Sequence, residues 1–424
     1  MPFKSSYGRR VVITGIGVVS PNGIGKENFW QAIKRGISGV KNISLFDASD
    51  LPCRVAAEVG NFNLEKYVPE KNQKHLHRLA AMAIAAANEA QSDAKLNLKD
   101  LPDAEKSEVG VIVGTGAGGI FYGEDQYRIF FREGRKKVSP YAISASLAGM
   151  LSSEISLAFG IRGPSHVLSN GCTSSTDAIG YAFDQIRYGR SDILLSGGAE
   201  SCITVGMISG FCRMGAVATK WNLEPSRASR PFNKDRDGFV LGEGAWILVL
   251  EELQRARRRN AFIYGEVVGY GSTCDAYHRV QIMPSGEESS RAMELALKDG
   301  GIEKEEVDYI SLHGTATELN DRIETKAIKL CFGQRAYAIP TSALKSMIGH
   351  PQGACGAAGV VASLLSMVNN FIHPTINYEN PDPECDLDYV PNIGRKAEIR
   401  ISVCNCIGFG SKNSALVLQK FEGS

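Results

Sequence analysis

Cys172 follows a strand-like Val167-Leu168 and the turn Asn170-Gly171. Ala178, Ile179, Ala182, Phe183 and Ile186 then recur at helical spacing, with Gly189 closing the pattern. The thiol is therefore expected at a tight turn before a helix N-terminus, where the dipole and free N–H groups favour a thiolate. A thiolate is the nucleophile that thioester exchange requires. The other nine cysteines are scattered and no CxxC occurs. Most are expected to be reduced, buried and inert. Cys404 and Cys406, two apart in an apolar run, should share one face of a strand.

Three further groups suit the same chemistry. His313 ends a strand-like run and is followed by Thr315 and Thr317, hydroxyls suited to a polar ligand arm. Asp321 and Glu324, three apart on the next helical stretch, share a face. Lys345 and His350 lie in IPTSALKSMIGHPQGACG. A lysine in so apolar a stretch needs a counter-charge, which Asp321 or Glu324 can supply. Near the C-terminus, Gly408-Phe409-Gly410 is flexible enough to present the Phe409 N–H as an oxyanion donor.

These residues have to be positioned by an α/β framework. Short β-branched runs at 11–14, 109–113, 193–195, 309–312 and 401–403 each lead into glycine. They alternate with helical stretches at 77–91, 173–188, 287–298, 318–330 and 353–369. Buried strands covered by helices are the expected result. The polar stretch 251–260 follows the apolar run 245–250 and marks a boundary. Residues 1–255 form one expected half, carrying Cys172, and residues 256–424 the other, carrying both histidines and the lysine. Internal duplication is compatible with this division, although no strict sequence repeat occurs.

Composition narrows the function classes. Lys+Arg number 47 against 46 Asp+Glu, so a polycationic nucleic-acid binder is excluded while a local basic patch is not. No apolar run reaches the roughly 20 residues of a membrane span, and the N-terminus lacks a signal-peptide pattern, so a cytoplasmic protein is expected. Gly114 to Gly119 fits GxGxxG, but QYRIFFREGRKK follows where a dinucleotide site needs an acidic strand end. A close-packed backbone turn is expected there.

Taken in order, VVITGIGVVSPNG, NGCTSSTDAIG, SGGAES, ASRPFNKDRDGFVLGEGA, HGTATELND, LKSMIGHPQGA and GFGSKN span nearly the whole chain. In them the sequence resembles the elongating β-ketoacyl-acyl carrier protein synthases, the condensing enzymes of type II fatty acid and polyketide synthesis. The resemblance implies a thiolase-like fold of two similar halves in five αβαβα layers, and a dimer. It implies that Cys172 accepts an acyl chain from a carrier protein's phosphopantetheine. The N–H groups of Cys172 and Phe409 would form the oxyanion hole. His313 and His350 would assist decarboxylation of malonyl-carrier protein, with Lys345, Asp321 and Glu324 holding the charge network. Thr315 and Thr317 would bind the pantetheine arm. No metal or organic cofactor is implied, since the pantetheine belongs to the partner.

The departures from the family pattern are informative. Gly359 stands where a glutamate is usual, so the polar network is expected to lack that carboxylate. Ile407 replaces the first aromatic of FGFG, Ser411 the last glycine of that stretch, Ala117 an aliphatic acyl-pocket residue, and Ala142 an aromatic near the dimer seam. Three smaller groups suggest a wider acyl tunnel. Polyketide or specialised lipid synthesis is accordingly favoured over housekeeping fatty acid elongation. A non-condensing partner subunit of a heterodimer is the other alternative. An acidic carrier protein calls for a basic patch. Arg135, Lys136 and Lys137 are the densest candidate, with Arg213 and Lys220 a second. The protein partners implied are thus the carrier and either a second copy or a chain-length-factor-like subunit.

Overall fold

A computed structural model describes residues 8–67 and 76–423. The principal strands fall into two sets of five. In the first set the order is Val11–Ser20, Gly244–Glu252, Ile193–Glu200, Val109–Gly114 and Ser165–Leu168. In the second it is Gly265–Cys274, Lys412–Gln419, Ile401–Gly408, Tyr309–Ser311 and Thr341–Ser342. Both sets run antiparallel over their first three strands and parallel over their last three. The duplication left open by the sequence is visible as this repeated order. The sets join where residues 11–13 pair with residues 265–267.

Two helices lie between the sets. Ser174–Arg187 packs on Ile193–Glu200 and Val109–Gly114, and Cys355–Asn369 packs on Ile401–Gly408 and on Ser174–Arg187. Both begin at the site, one just after Cys172 and the other just after His350. The outer faces carry Arg78–Asp93 and Glu287–Gly300. The αβαβα layering implied by the resemblance is thus present. The stretch Gln352–Asn369 is long and apolar enough to cross a bilayer, but 83% of it is buried inside the protein. It is the core helix of the middle layer.

The strands run longer than their apolar runs suggest, because several glycines belong to them. A Cβ at Gly15 or Gly17 would overlap the carbonyl oxygen of Ala90 or Ala86 on Arg78–Asp93. Gly269 and Gly271 face Ala296 and Ala292 on Glu287–Gly300 in the same way. These glycines let an outer helix sit directly on the strand, so they are packing positions rather than turns. Gly114 to Gly119 is a close-packed turn, as expected. The buried Glu200 carboxylate accepts from Gly116 N (2.7 Å) and Ala117 N (3.2 Å) there.

Candidate active site

Cys172 lies in a 3₁₀ turn, Gly171–Thr173, immediately before Ser174–Arg187. Its Sγ is 3.3 Å from His350 Nε2 and 3.7 Å from Gln352 Oε1. The Phe409 amide faces this residue's thiol. The expected thiolate is not favoured. Burial pushes the thiol up to about 12; Cys355 reinforces this, while Lys345 and the Phe409 amide oppose it. Desolvation of a charge outweighs the helix terminus here. The resting pair is a neutral thiol facing a neutral imidazole, since burial also pushes His350 down.

His313 follows the strand Tyr309–Ser311. Its ring is 5.3 Å from that of His350, nearly perpendicular to it. Its Nδ1 is 3.3 Å from Lys345 Nζ and 3.5 Å from Cys406 Sγ. Lys345 also donates to the His313 carbonyl at 2.5 Å. An ammonium at Nδ1 makes that nitrogen the acceptor and leaves the proton on Nε2. Burial first, then Lys345, brings His313 down to about 3, so the ring is neutral near pH 7.

The acidic pair takes a different part from the one expected. Glu324 accepts from His313 N (2.6 Å), Gly314 N (2.7 Å) and Asn405 Nδ2 (2.8 Å). It anchors the backbone that carries His313. Asp321 accepts from Phe232 N and faces Arg236 at 3.4 Å. Neither acid pairs with Lys345. Among the described residues no carboxylate forms an ion pair with that lysine, and the position where the family has a glutamate is Gly359 beside Ser311. The lysine's neighbours are instead His313 and the cysteines Cys172, Cys355 and Cys406.

Loss of the Glu324 carboxylate would orphan its three donors. Glu324→Ala should therefore cost about 3 kcal/mol or more of stability. Chemical denaturation will read this, and wild-type stability in the variant would remove the anchoring role.

A cleft of about 380 Å³ opens above these groups. Cys172, His313 and His350 form part of it, with Thr315, Thr317, Ile407 and Phe409. Thr315 and Thr317 bond each other at 2.9 Å across Ala316, whose φ of +66° turns the chain between them. Thr317 also caps Glu318–Phe332. Ile407 packs against Ile282 and Ile323. Lys220 lines the cleft. Arg213 is exposed at the end of Val205–Met214 without lining it. Arg135, Lys136 and Lys137 form an exposed turn that this chain does not bring to the cleft. Ala117 and Ala142 do not line it either. Ala117 joins the cluster of Ile203, Val217 and Phe239, and Ala142 begins a short half-exposed helix.

Several site residues escaped the sequence reading. Cys355 Sγ (3.3 Å) and Cys406 Sγ (3.2 Å) both donate to the Cys172 carbonyl, and their sulfurs lie 3.7 Å apart. Cys406 was expected on a shared strand face with Cys404, and both do face the central helix, where Cys404 meets Ser363. The assignment of Cys406 as a core residue holds for its burial, but its sulfur also touches His313. Glu200, Gln352 and Asn405 complete the surround. Only Gln352, two positions after His350, carried a local signal.

The family model described as "Beta-ketoacyl synthase, N-terminal domain" matches residues 8–256, and its C-terminal counterpart matches residues 264–379. The 3-oxoacyl-(acyl-carrier-protein) synthase 2 of Synechocystis sp. is 42% identical over 414 residues, 98% of this chain and 99% of the relative. The protein of the same name from Coxiella burnetii is 42% identical over 412 residues, 97% and 99% of the two chains. Among solved structures, the ishigamide ketosynthase/chain length factor superposes with a TM-score of 0.90 at 36% identity, covering 98% of this chain and all of that one. A type II polyketide ketosynthase, solved with its acyl-carrier protein and bound to the hexaketide, gives 0.89 at 33% identity with the same coverage.

Proposed function

The chain belongs to the beta-ketoacyl synthase family, and from that premise we propose that Cys172, His313 and His350 perform a decarboxylative condensation on carrier-bound thioesters. The enzyme is an acyltransferase of the 3-oxoacyl-acyl carrier protein synthase type. The observation that carries the residue assignment is Cys172 Sγ facing His350 Nε2 at 3.3 Å, with His313 alongside, on the wall of a cleft containing Thr315 and Thr317.

In the first half-reaction His350 Nε2 takes the Cys172 proton as sulfur attacks the acyl thioester. The tetrahedral oxyanion is held by the N–H groups of Cys172 and Phe409. The carrier thiol leaves with the proton returned by His350. In the second, malonyl-carrier protein reaches down the same cleft, its pantetheine arm beside Thr315 and Thr317. Loss of CO₂ sends the electron pair to the thioester oxygen, which His313 Nε2–H and His350, in its Nε2–H tautomer once the first carrier has left, hydrogen-bond as an enolate. The enolate carbon then attacks the acyl-Cys172 carbonyl. A C–C bond forms, the C–S bond breaks, and Cys172 leaves as a thiolate that takes one proton from solvent, giving the resting thiol and a β-ketoacyl-carrier product.

The reading is tested by intact-protein mass spectrometry after mixing with an acyl-carrier protein. An acyl adduct on the native chain supports it. No adduct with a competent carrier would leave the non-condensing partner subunit as the better reading. A polyketide or specialised lipid role rests on Ile407, which lines the cleft where the family has an aromatic, while Ala117 and Ala142 lie off it; housekeeping elongation is the alternative.

Partners follow from the surface. Ser165–Leu168 ends the sheet with its first two residues exposed, and Phe131, Ile143, Leu147 and Leu157 are exposed as well. Together they support a second subunit, either a copy of this chain or a chain-length-factor-like one. The acidic carrier is assigned to Arg135, Lys136 and Lys137, with Arg213 and Lys220 nearer this chain's cleft. Reversing Lys136 and Lys137 to glutamate should raise the carrier KM about tenfold at low salt, with the effect shrinking as salt rises. Unchanged kinetics would remove these residues from the carrier site.

A further inference from the structure

Gln352 is not used by the reaction described above, yet it is built against the nucleophile. Its side-chain Oε1 stands 3.7 Å from Cys172 Sγ. The residue is only 7% exposed, and its Nε2 is buried with no hydrogen-bond partner. Its backbone has a φ of +35°, a left-handed conformation that costs a residue with a Cβ about 1–2 kcal/mol. Whichever end of the amide faces the sulfur, Cys172 satisfies only one of them. A buried amide end without a partner is itself unfavourable by about 1–3 kcal/mol. Both costs fall on one side chain next to the reacting atom.

The position of Gln352 decides which ligand it can meet. It does not line the cleft that holds Thr315 and Thr317, so it is not placed on the pantetheine arm. The next residue, Gly353, gives its N–H to Glu200 Oε2 at 2.9 Å, the same oxygen that holds Gly116 N at 2.7 Å. Gly353 and Gly116 are in backbone contact. Gln352 therefore adjoins both Cys172 and the Gly116-Ala117 turn, outside the lining of the cleft. With Oε1 at 3.7 Å from Sγ, the first carbons of a chain carried on Cys172 are within reach of this amide. In a thioester the oxygen on the β-carbon lies roughly 4–5 Å from the sulfur. The amide nitrogen, on the same carbon as Oε1, is about 2.2 Å from it. Both atoms therefore lie in the same shell around the sulfur, where an N–H···O bond of about 2.9 Å can form between them.

We propose that Gln352 is a specificity residue that hydrogen-bonds an oxygen on the β-carbon of the Cys172-bound chain, so that the enzyme selects β-oxygenated acyl groups over saturated ones. The proposal rests on the ketosynthase reading and deepens it. A saturated chain would press methylene groups against the amide and leave it unpaired; a 3-oxo chain accepts its proton. Selection of this kind is strong because the buried donor penalises the ligand that lacks the acceptor.

The test uses the full chain with one carrier protein loaded with either a 3-oxoacyl or a saturated acyl group of the same length. The rate of acyl-Cys172 formation is read by quenched intact-protein mass spectrometry. Wild type should favour the 3-oxo chain. Gln352→Met, close in size but without a donor, should lower the 3-oxo to saturated ratio about tenfold. Gln352→Leu gives the same reading should the first variant fold poorly. An unchanged ratio in a folded variant overturns the proposal alone. No adduct from either chain on wild type overturns the ketosynthase reading, and the proposal with it.

Discussion

Cys172→Ala should abolish acyl-enzyme formation and lower condensation by a factor on the order of 10⁴ or more, while malonyl decarboxylation stays within about tenfold of wild type. The two halves of this expectation come from different atoms. Covalent capture needs the sulfur, which His350 and the Phe409 amide address directly. Decarboxylation needs a donor for the enolate oxygen, and His313 keeps its Lys345 and Glu324 contacts without Cys172. The fold should survive, because Cys172 is a small buried group whose backbone carbonyl, not its sulfur, takes the Cys355 and Cys406 thiols. Condensation is followed by product mass and decarboxylation by CO₂ release. An acyl adduct on the alanine variant would mean that another cysteine is the nucleophile, and Cys355 and Cys406 are the neighbours to examine. Loss of decarboxylation together with condensation would mean that the substitution had disturbed His313.

How much of this was legible in the chain follows from the range of each contact. The Cys172 turn is written locally, by a strand, Asn170-Gly171 and an amphipathic helix, so its position could be read. The same holds for His313 and His350, each at the end of an apolar run. The strand Gly265–Cys274 was not read, because GEVVGYGSTC has too many small residues for a strand signal. Two of its glycines are small only because Glu287–Gly300 lies on them. Glu200 was not read as a site residue since its ligands, the amides of Gly116 and Gly353, lie 84 and 153 residues away. The Lys345 counter-charge was misassigned for a related reason. Asp321 and Glu324 do share a helix face, but backbone donors and Arg236 already occupy them. Sequence spacing gives the face of a helix; it does not give the competing donors that other segments bring to it.

The two histidines should separate the half-reactions. His313→Ala is expected to lower decarboxylation and condensation by about 10²–10³ while acyl-Cys172 still forms, whereas His350→Ala should slow both steps. The distinction lies in what each ring touches. His350 Nε2 is against the thiol. The His313 ring meets Lys345 and Cys406 through Nδ1, with Cys355 and His350 beside it. Removing His313 takes away the enolate donor and leaves the thiol with its base. Removing His350 also leaves a thiol that burial holds at about 12 without its base, so its ionisation near pH 7 becomes rare. The pH dependence follows with a definite sign. A histidine lowered to about 3 is already neutral through the working range and carries its donor proton on Nε2. Decarboxylation by wild type should therefore be flat from about pH 5 to pH 8, with protonation of His313 only below that. Single-turnover adduct formation and CO₂ release, measured on both variants, check the assignment. Equal losses of acylation in the two variants would show that His313 also serves the first step, and a decarboxylation rate that climbs through pH 6–7 would place a different titrating group at the enolate oxygen.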